Sequence, residues 1–264
     1  MKNDFSEMCK NTFDTLFQEA KNTNKIQFLT SFFPFGKINE NSTLSYISDY
    51  EFAEVLDLLD RFVPLQAASE INIKDKVRIQ MFLYCHIVEV DLIYHIVFNM
   101  IQTIKKNPYS LEIFTIRRKN SNNGEKGTKK IAEYPCKKIE IIKNLSDEFE
   151  MPLRNVYQEF YLNKLRNSFS HSQYFIEQDG TFHLSQSLSQ FQQKSTNGFY
   201  TAESIDSFFQ KSLFYIKAFI NSYNSYIEEF KDGNSYDTSF GKISFSIPEH
   251  NGWGFVRKNE IIAT

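Results

Sequence analysis

The sequence has few residues of the kinds that form cross-links and tight turns. Among its 264 residues only Cys9, Cys85 and Cys136 are cysteine, and they form no Cys-x-x-Cys pair. This spacing excludes a disulfide framework and a zinc site of paired cysteines, and it suits a reducing cytoplasm. Nine glycines and six prolines are too few for a turn-rich β protein, whereas 27 phenylalanines suit helices packed through aromatic side chains. We therefore expect a mostly helical, cytoplasmic protein.

The chain also lacks a charge excess and a convincing membrane segment. Its formal charge is −2, so any binding of nucleic acid requires a local basic patch. Asp4 comes early and no continuous apolar run follows it, so we expect no signal peptide. The apolar stretch 81–101 contains Glu89 and Asp91 near its middle. Since each central acid costs about 2.5 to 3.5 kcal/mol in a bilayer, we expect a buried core helix and no membrane partner.

Hydrophobic periodicity divides the chain into a central domain and two extensions. Residues 1–48 are predicted as an N-terminal extension with a short helix at about 4–21. Residues 49–232 are predicted as a helical domain, and 233–264 as a C-terminal tail with strand-like alternation around Ile243. The predicted fold class is all-α, an antiparallel helical bundle with a small β-hairpin and irregular N- and C-terminal extensions.

Within the domain, apolar residues spaced three and four apart predict several helices. The first four cover about 49–63, 75–106, 131–145 and 152–171. The second is apolar nearly all round and should lie at the centre of the bundle. The last helix follows Thr201, a suitable N-cap, and carries a seam typical of helical bundles. The seam consists of Ile205, Phe209, Leu213, Ile216, Ile220, Tyr223, Ile227 and Phe230.

The helix predicted over 152–171 ends in the hexapeptide Arg166-Asn167-Ser168-Phe169-Ser170-His171. Arg166 offers a permanent, forked cation for phosphate oxygens, and His171 can act as base or acid around neutral pH. Asn167 lies four residues before His171, so its amide can orient the imidazole or a substrate oxygen. RNA carries its own nucleophile, the 2′-hydroxyl, so neither metal nor cofactor is obligatory. The hexapeptide therefore indicates metal-free RNA cleavage.

Helix geometry limits what one copy of this motif can do. On an ideal wheel Arg166 lies about 140° from His171, at 100° per residue. The two side chains therefore converge only if the helix ends near His171 or a second copy of the chain supplies the missing group. A two-fold homodimer would bring the same surface together with itself. We expect a composite active site across such an interface.

Two further segments accompany the motif. Asp179-Gly180, between 174 and 184, is a strong signal for a β-hairpin directly after the motif helix. The segment 117–130 holds six basic residues against Glu125 alone and is interpreted either as a solvated surface loop or as a phosphate contact. The candidate RNA-binding residues are Arg117, Arg118, Lys119, Lys126, Lys129 and Lys130.

Through Arg166, Asn167 and His171, and through the helix order from about 49 to 232, the chain resembles the HEPN superfamily of helical bundles. The resemblance implies a metal-independent endoribonuclease, usually dimeric, that leaves 2′,3′-cyclic phosphate and 5′-hydroxyl ends. It also implies a toxin or antiviral defence effector with a possible antitoxin or regulator. Because some members have lost catalysis, a non-catalytic module that binds RNA, a nucleotide or a protein stays open, as does a purely structural dimer.

Other polar residues have more than one interpretation. Asp91 and His95 lie four apart, with His86 and Glu89 nearby, and could support the RNA site or bind a metal. Such residues are more often buried polar groups with satisfied hydrogen bonds. His183, on the predicted hairpin, is either a surface histidine or a residue that approaches the cleft.

Overall fold

The computed structural model describes residues 2–32, 47–109, 114–117, 129–132, 134–184, 198–228, 235–238 and 241–244. Most of these residues are helical, which confirms the predicted all-α class. The helices are α1 (Lys2–Thr23), α2 (Lys25–Ser31), α3 (Ile47–Ala67), α4 (Ile73–Val88), α5 (Asp91–Ile104), α6 (Pro135–Asp147), α7 (Leu153–Phe160), α8 (Asn163–Ser170) and α9 (Ala202–Glu228). The strands are β1 (Thr115–Arg117), β2 (Lys129–Ile131), β3 (Tyr174–Ile176), β4 (Phe182–Leu184), β5 (Phe199–Tyr200), β6 (Ser235–Thr238) and β7 (Gly241–Ser244).

Helix α1 packs against α9 through aromatic rings. Phe13 lies 5.5 Å from both Tyr215 and Phe219, and Phe17 lies 5.5 Å from Tyr226, measured between ring centroids. Both phenylalanines are fully buried. The segment predicted as an N-terminal extension therefore contributes α1 to the same hydrophobic core as the helical domain. The helix itself is longer than the predicted 4–21.

The single helix predicted over 75–106 is wrong, because the chain breaks at Glu89 and Val90 into α4 and α5. Neither proline nor glycine causes this break. The hydroxyl of Tyr94 donates to the carbonyl of Val88 at 2.6 Å and so satisfies one of the groups left free where α4 ends. Ile73–Ile104 is long and apolar enough to cross a membrane by length and composition alone, but it is mostly buried inside the protein, as core helices are.

The continuous helix predicted over 152–171 is also wrong, because Tyr161 and Leu162 separate α7 from α8. The break is held by α4. The Tyr84 hydroxyl donates to the carbonyl of Phe160 at 3.0 Å and accepts from the N–H of Leu162 at 2.9 Å. One buried hydroxyl thus satisfies a backbone group on each side of the break. Helix α8, which carries the hexapeptide, is positioned by this contact.

The predicted hairpin is confirmed as β3 and β4, and β5 pairs with β4 as a third antiparallel strand. Gly180 in the turn has a φ of +85°, which favours glycine. A Cβ atom there would also lie 2.8 Å from Ile73 Cγ1, so the turn approaches α4 closely. After the sheet, α9 confirms the predicted seam. Every seam residue except Phe230, which lies outside the described residues, is buried.

The predicted basic loop begins and ends in a strand pair. β1 and β2 are antiparallel, and Arg117 is paired with Lys129. The helix predicted over 131–145 accordingly starts later, at Pro135, which suits the first turn of a helix. In the tail, β6 pairs with β7 and places Tyr236 opposite Ile243, in agreement with the strand-like alternation there.

Substitution Phe17→Ala should lower the free energy of unfolding by about 3–5 kcal/mol, because it empties a fully buried aromatic site between α1 and α9. Urea unfolding followed by circular dichroism measures this. The control is Gln18→Ala, which changes an exposed neighbour on the same helix and should leave stability almost unchanged. Equal stabilities for the two variants would mean that α1 is not part of the cooperative core.

Candidate active site

Helix α8 lies against α4 and ends at the motif histidine. Leu165 is fully buried, and the Cys85 sulfur of α4 lies 4.0 Å from the carbonyl oxygen of Arg166. His171 is the C-cap, with its N–H bonded to the carbonyl of Asn167 at 3.0 Å, and Ser172 follows at a φ of +55°. The helix therefore ends at His171, which is one of the two conditions under which the motif side chains can converge.

The guanidinium of Arg166 is held by two partners. Its Nε and Nη2 atoms lie 2.7 and 2.5 Å from Oε1 of Glu89, and its Nη1 atom donates to Asn167 Oδ1 at 2.9 Å. The Arg166 side chain is 12% exposed and that of Glu89 is 41% exposed. Charge-assisted hydrogen bonds of this kind are short and strong, so the guanidinium is fixed in place. Glu89 lies at the break between α4 and α5, which directs its carboxylate to α8.

The two other motif residues are placed differently. Asn167 accepts a hydrogen bond from Arg166 with its carbonyl oxygen, and its amide nitrogen can still donate to an imidazole or a substrate oxygen. His171 is exposed, and among the described residues its imidazole has no hydrogen-bond partner. Within the same residues no hydrogen bond joins Arg166 to His171. The structure thus brings Arg166, Asn167 and Glu89 together and leaves His171 accessible at the helix end.

Three titratable side chains near Arg166, other than the Glu89 carboxylate that pairs with it, are neutral at pH 7. Burial raises the pKa of the Cys85 thiol to about 12, with a smaller contribution from Glu89. Burial also lowers the pKa of His86, whose ring lies 4.4 Å from that of Phe82. Tyr161 has a raised pKa for the same reason. Cys85 therefore stays a thiol and is not a nucleophile at neutral pH.

Glu89 also lines a cavity of about 320 Å³. Glu51, Glu54 and Asp91 line it together with Glu89 and His86, above apolar side chains of α3. Burial raises the pKa of Glu51, and the charge of Asp91 adds to this effect. A phosphate group would be repelled from this acidic cavity.

The ion pair of Asp91 and the burial of His95 explain why these two polar residues lie on α5. Asp91 pairs with Lys138 of α6 at 2.5 Å, and the Lys138 side chain is almost completely buried. Burial lowers the pKa of His95 to about 4, so its imidazole is neutral at pH 7. In the part of the chain that the structure describes, no three His, Cys, Asp or Glu side chains lie close enough to hold a metal ion.

The remaining candidate residues lie apart from this cluster. Arg117, Lys129 and Lys130 belong to β1 and β2, whereas Arg118, Lys119 and Lys126 lie outside the described residues. His183 is part of β4, stacks on Phe175 and lies 2.9 Å from Glu177. The sequence identifies Glu89 only as an acid near Asp91 and His95, and it does not predict that Glu89 pairs with Arg166. Its only sequence signal is a carboxylate inside an apolar stretch.

His95 should make the protein sensitive to acid. Its pKa is about 4 in the folded chain and about 6.5 in the unfolded chain. Below pH 6.5 the unfolded state therefore binds a proton that the folded state excludes, and stability falls as the pH drops toward 4. His95→Gln should lose less free energy of unfolding between pH 7 and 5 than the wild type.

The control for this experiment is His171→Gln, which changes an exposed histidine and should retain the wild-type acid loss. Urea unfolding at each pH gives the comparison. An identical acid loss in His95→Gln and the wild type would show that His95 is not the group concerned.

Comparison with known proteins identified no relative. No family model, curated protein or solved structure matched this chain. The resemblance to the HEPN superfamily therefore rests on the motif and on the order of the helices, and the function that it implies is a proposal.

Proposed function

We propose that the protein is a metal-independent endoribonuclease that cleaves single-stranded RNA, and that it acts as a toxin or antiviral defence effector. The observation that carries this proposal is the arrangement at the end of α8. A guanidinium fixed by Glu89 and Asn167 lies five residues before an accessible imidazole at the helix end. A cation for the phosphate and a proton-transfer group are the two parts that this reaction requires.

Arg166 would stabilise the negative charge that builds on the phosphate. Its contacts with Glu89 and Asn167 engage Nε and one hydrogen on each Nη atom, so a second hydrogen on each Nη remains to donate to phosphate oxygens. The Glu89 carboxylate offsets part of the positive charge. The same carboxylate fixes the guanidinium of Arg166 before the substrate binds, so little reorganisation is needed in the transition state.

His171 would transfer the proton. The 2′-oxygen attacks the adjacent phosphorus, the bond to the 5′-oxygen breaks, and the products carry a 2′,3′-cyclic phosphate and a 5′-hydroxyl. The imidazole takes the proton of the 2′-hydroxyl, and the imidazolium so formed gives a proton to the leaving 5′-oxygen. In the composite site of a homodimer, Arg166 of a second copy of the chain would lie beside this imidazole.

A second candidate function is favoured by the same ion pair. Arg166 is largely buried and paired with Glu89, and in this alternative its one role is to join α8 to α4. The protein would then be a non-catalytic module that binds RNA, a nucleotide or a protein partner. RNA binding without cleavage, weakened by salt but insensitive to His171→Ala, would favour this alternative.

The wild type should cleave single-stranded RNA in EDTA, and His171→Ala and Arg166→Ala should each slow cleavage by about 100-fold or more. Gel electrophoresis of labelled RNA measures the rates. Arg154→Ala is the matched control, because Arg154 also pairs with a carboxylate, that of Asp147, but lies on α7. Persistent intact RNA at high enzyme concentration, or equal cleavage by His171→Ala, would reject the proposal.

A composite site predicts complementation between two inactive variants. When Arg166→Ala and His171→Ala are mixed and allowed to exchange subunits, about a quarter of the wild-type activity should return, because mixed dimers regain one complete site. Sedimentation should show a dimer for each protein. A mixture that stays inactive although subunits exchange would place Arg166 and His171 of one chain in the same site.

A further inference from the structure

The three-stranded sheet that follows the motif carries a row of rings on one face. Strand pairing sets Phe175 opposite His183, and His183 opposite Phe199. The Phe175 and His183 rings stack at a centroid distance of 4.4 Å and an angle of 3°, and Phe199 lies 5.9 Å from His183. Ile176 and Phe182, which alternate with them along the strands, are buried in the core. We call Phe175, His183 and Phe199 the aromatic row.

The two ends of the aromatic row are exposed to solvent. Phe175 is 55% exposed and Phe199 is 56% exposed. The outer face of an antiparallel sheet is normally polar, and contiguous exposed rings on such a face mark a binding surface. His183 lies between the two phenylalanines and stacks on Phe175, and its Nε2 atom is 2.9 Å from Glu177 without forming a hydrogen bond to it. Each end of the row thus presents one exposed phenylalanine.

Two cations border the Phe175 end of the row. A cavity of about 330 Å³ there is lined by Lys74 and Arg78 of α4 and by Ser172, Tyr174, Phe175 and Ile176. Arg78 pairs with Asp75 at 2.7 Å, but both side chains are about half exposed, so this pair is weak and can exchange for another anion. Ser172, which lines this cavity, directly follows His171 in the sequence.

We propose that the aromatic row binds single-stranded RNA, with bases stacked on Phe175 and Phe199 and phosphates held by Lys74 and Arg78. This inference rests on the proposed endoribonuclease function and assigns the surface that holds its substrate. Aromatic faces stack on any base, and neighbouring cations follow the backbone, which together give binding that tolerates sequence. An RNA strand bound to the aromatic row would pass His171, which lies three residues before the start of β3.

The chemistry around the row selects RNA over an apolar protein partner. Lys74 and Arg78 complement a polyanion, and the cavity that they line opens beside an aromatic ring. A base-paired duplex would not fit, because its bases are already stacked on each other and present no free face. The substrate is therefore single-stranded at the aromatic row.

The test measures RNA affinity in the His171→Ala background, which removes cleavage from the measurement. Fluorescence anisotropy with a labelled oligouridine should show about tenfold weaker binding for Phe175→Ala and again for Phe199→Ala. Replacing Lys74 and Arg78 by glutamine should reduce the dependence of affinity on salt. Tyr134→Ala is the matched control, since Tyr134 is 57% exposed at the start of α6, and it should bind as the parent does.

Several outcomes would overturn this assignment. One is an unchanged affinity for RNA in a Phe175→Ala, Phe199→Ala double variant. A second is an equal affinity of the parent protein for single-stranded RNA and for a fully paired duplex. A third is a double variant that no longer self-associates but still binds RNA. Thermal unfolding checks that the variants fold, which is expected because both rings are exposed.

Cleavage by the same phenylalanine variants with His171 intact separates the two proposals. If these variants cleave and bind RNA normally, the proposed role of the aromatic row is wrong and the nuclease proposal is unaffected. Ring-dependent RNA binding by a protein that never cleaves RNA would support the aromatic row and reject the nuclease.

Discussion

The buried hydroxyl of Tyr84 is the contact on which the placement of the candidate site depends. It bridges the carbonyl of Phe160 and the N–H of Leu162, where the chain leaves α7 and enters α8. A buried backbone group without a partner costs about 1–3 kcal/mol, so this hydroxyl makes the break between the two helices tolerable. The redirected chain lays α8 along α4, and Arg166 arrives beside Glu89.

The site also requires the second break, between α4 and α5. Glu89 occupies that break, so its carboxylate is not committed to a helix face and can take the guanidinium of Arg166. The sheet that follows α8 packs back on α4 through Gly180, whose close approach to Ile73 leaves no room for a side chain. Helix α4 therefore positions the cation, the helix end with its histidine, and the exposed rings of the sheet.

Local signals predicted some of this structure, and distant contacts determined the rest. The seam of α9 and the turn at Gly180 follow from spacing and from backbone preference within a few residues. The two helix breaks carry no proline or glycine, and each is stabilised by a tyrosine hydroxyl, one of them from a residue far away in the sequence. The apolar stripe of α1 gave no indication of which helix would cover it. The motif residues were identified from sequence, but the use of Asn167 to hold Arg166 follows from geometry alone.

The structure combines a fixed guanidinium, an accessible imidazole and a row of exposed rings within one region of the molecule. We propose that these groups cleave RNA by attack of the 2′-hydroxyl. The most direct test is end-group analysis of RNA incubated with the wild type in EDTA. We expect 2′,3′-cyclic phosphate and 5′-hydroxyl ends that are absent with His171→Ala, whereas 3′-hydroxyl and 5′-phosphate ends, or uncut RNA, would contradict RNA cleavage by 2′-hydroxyl attack.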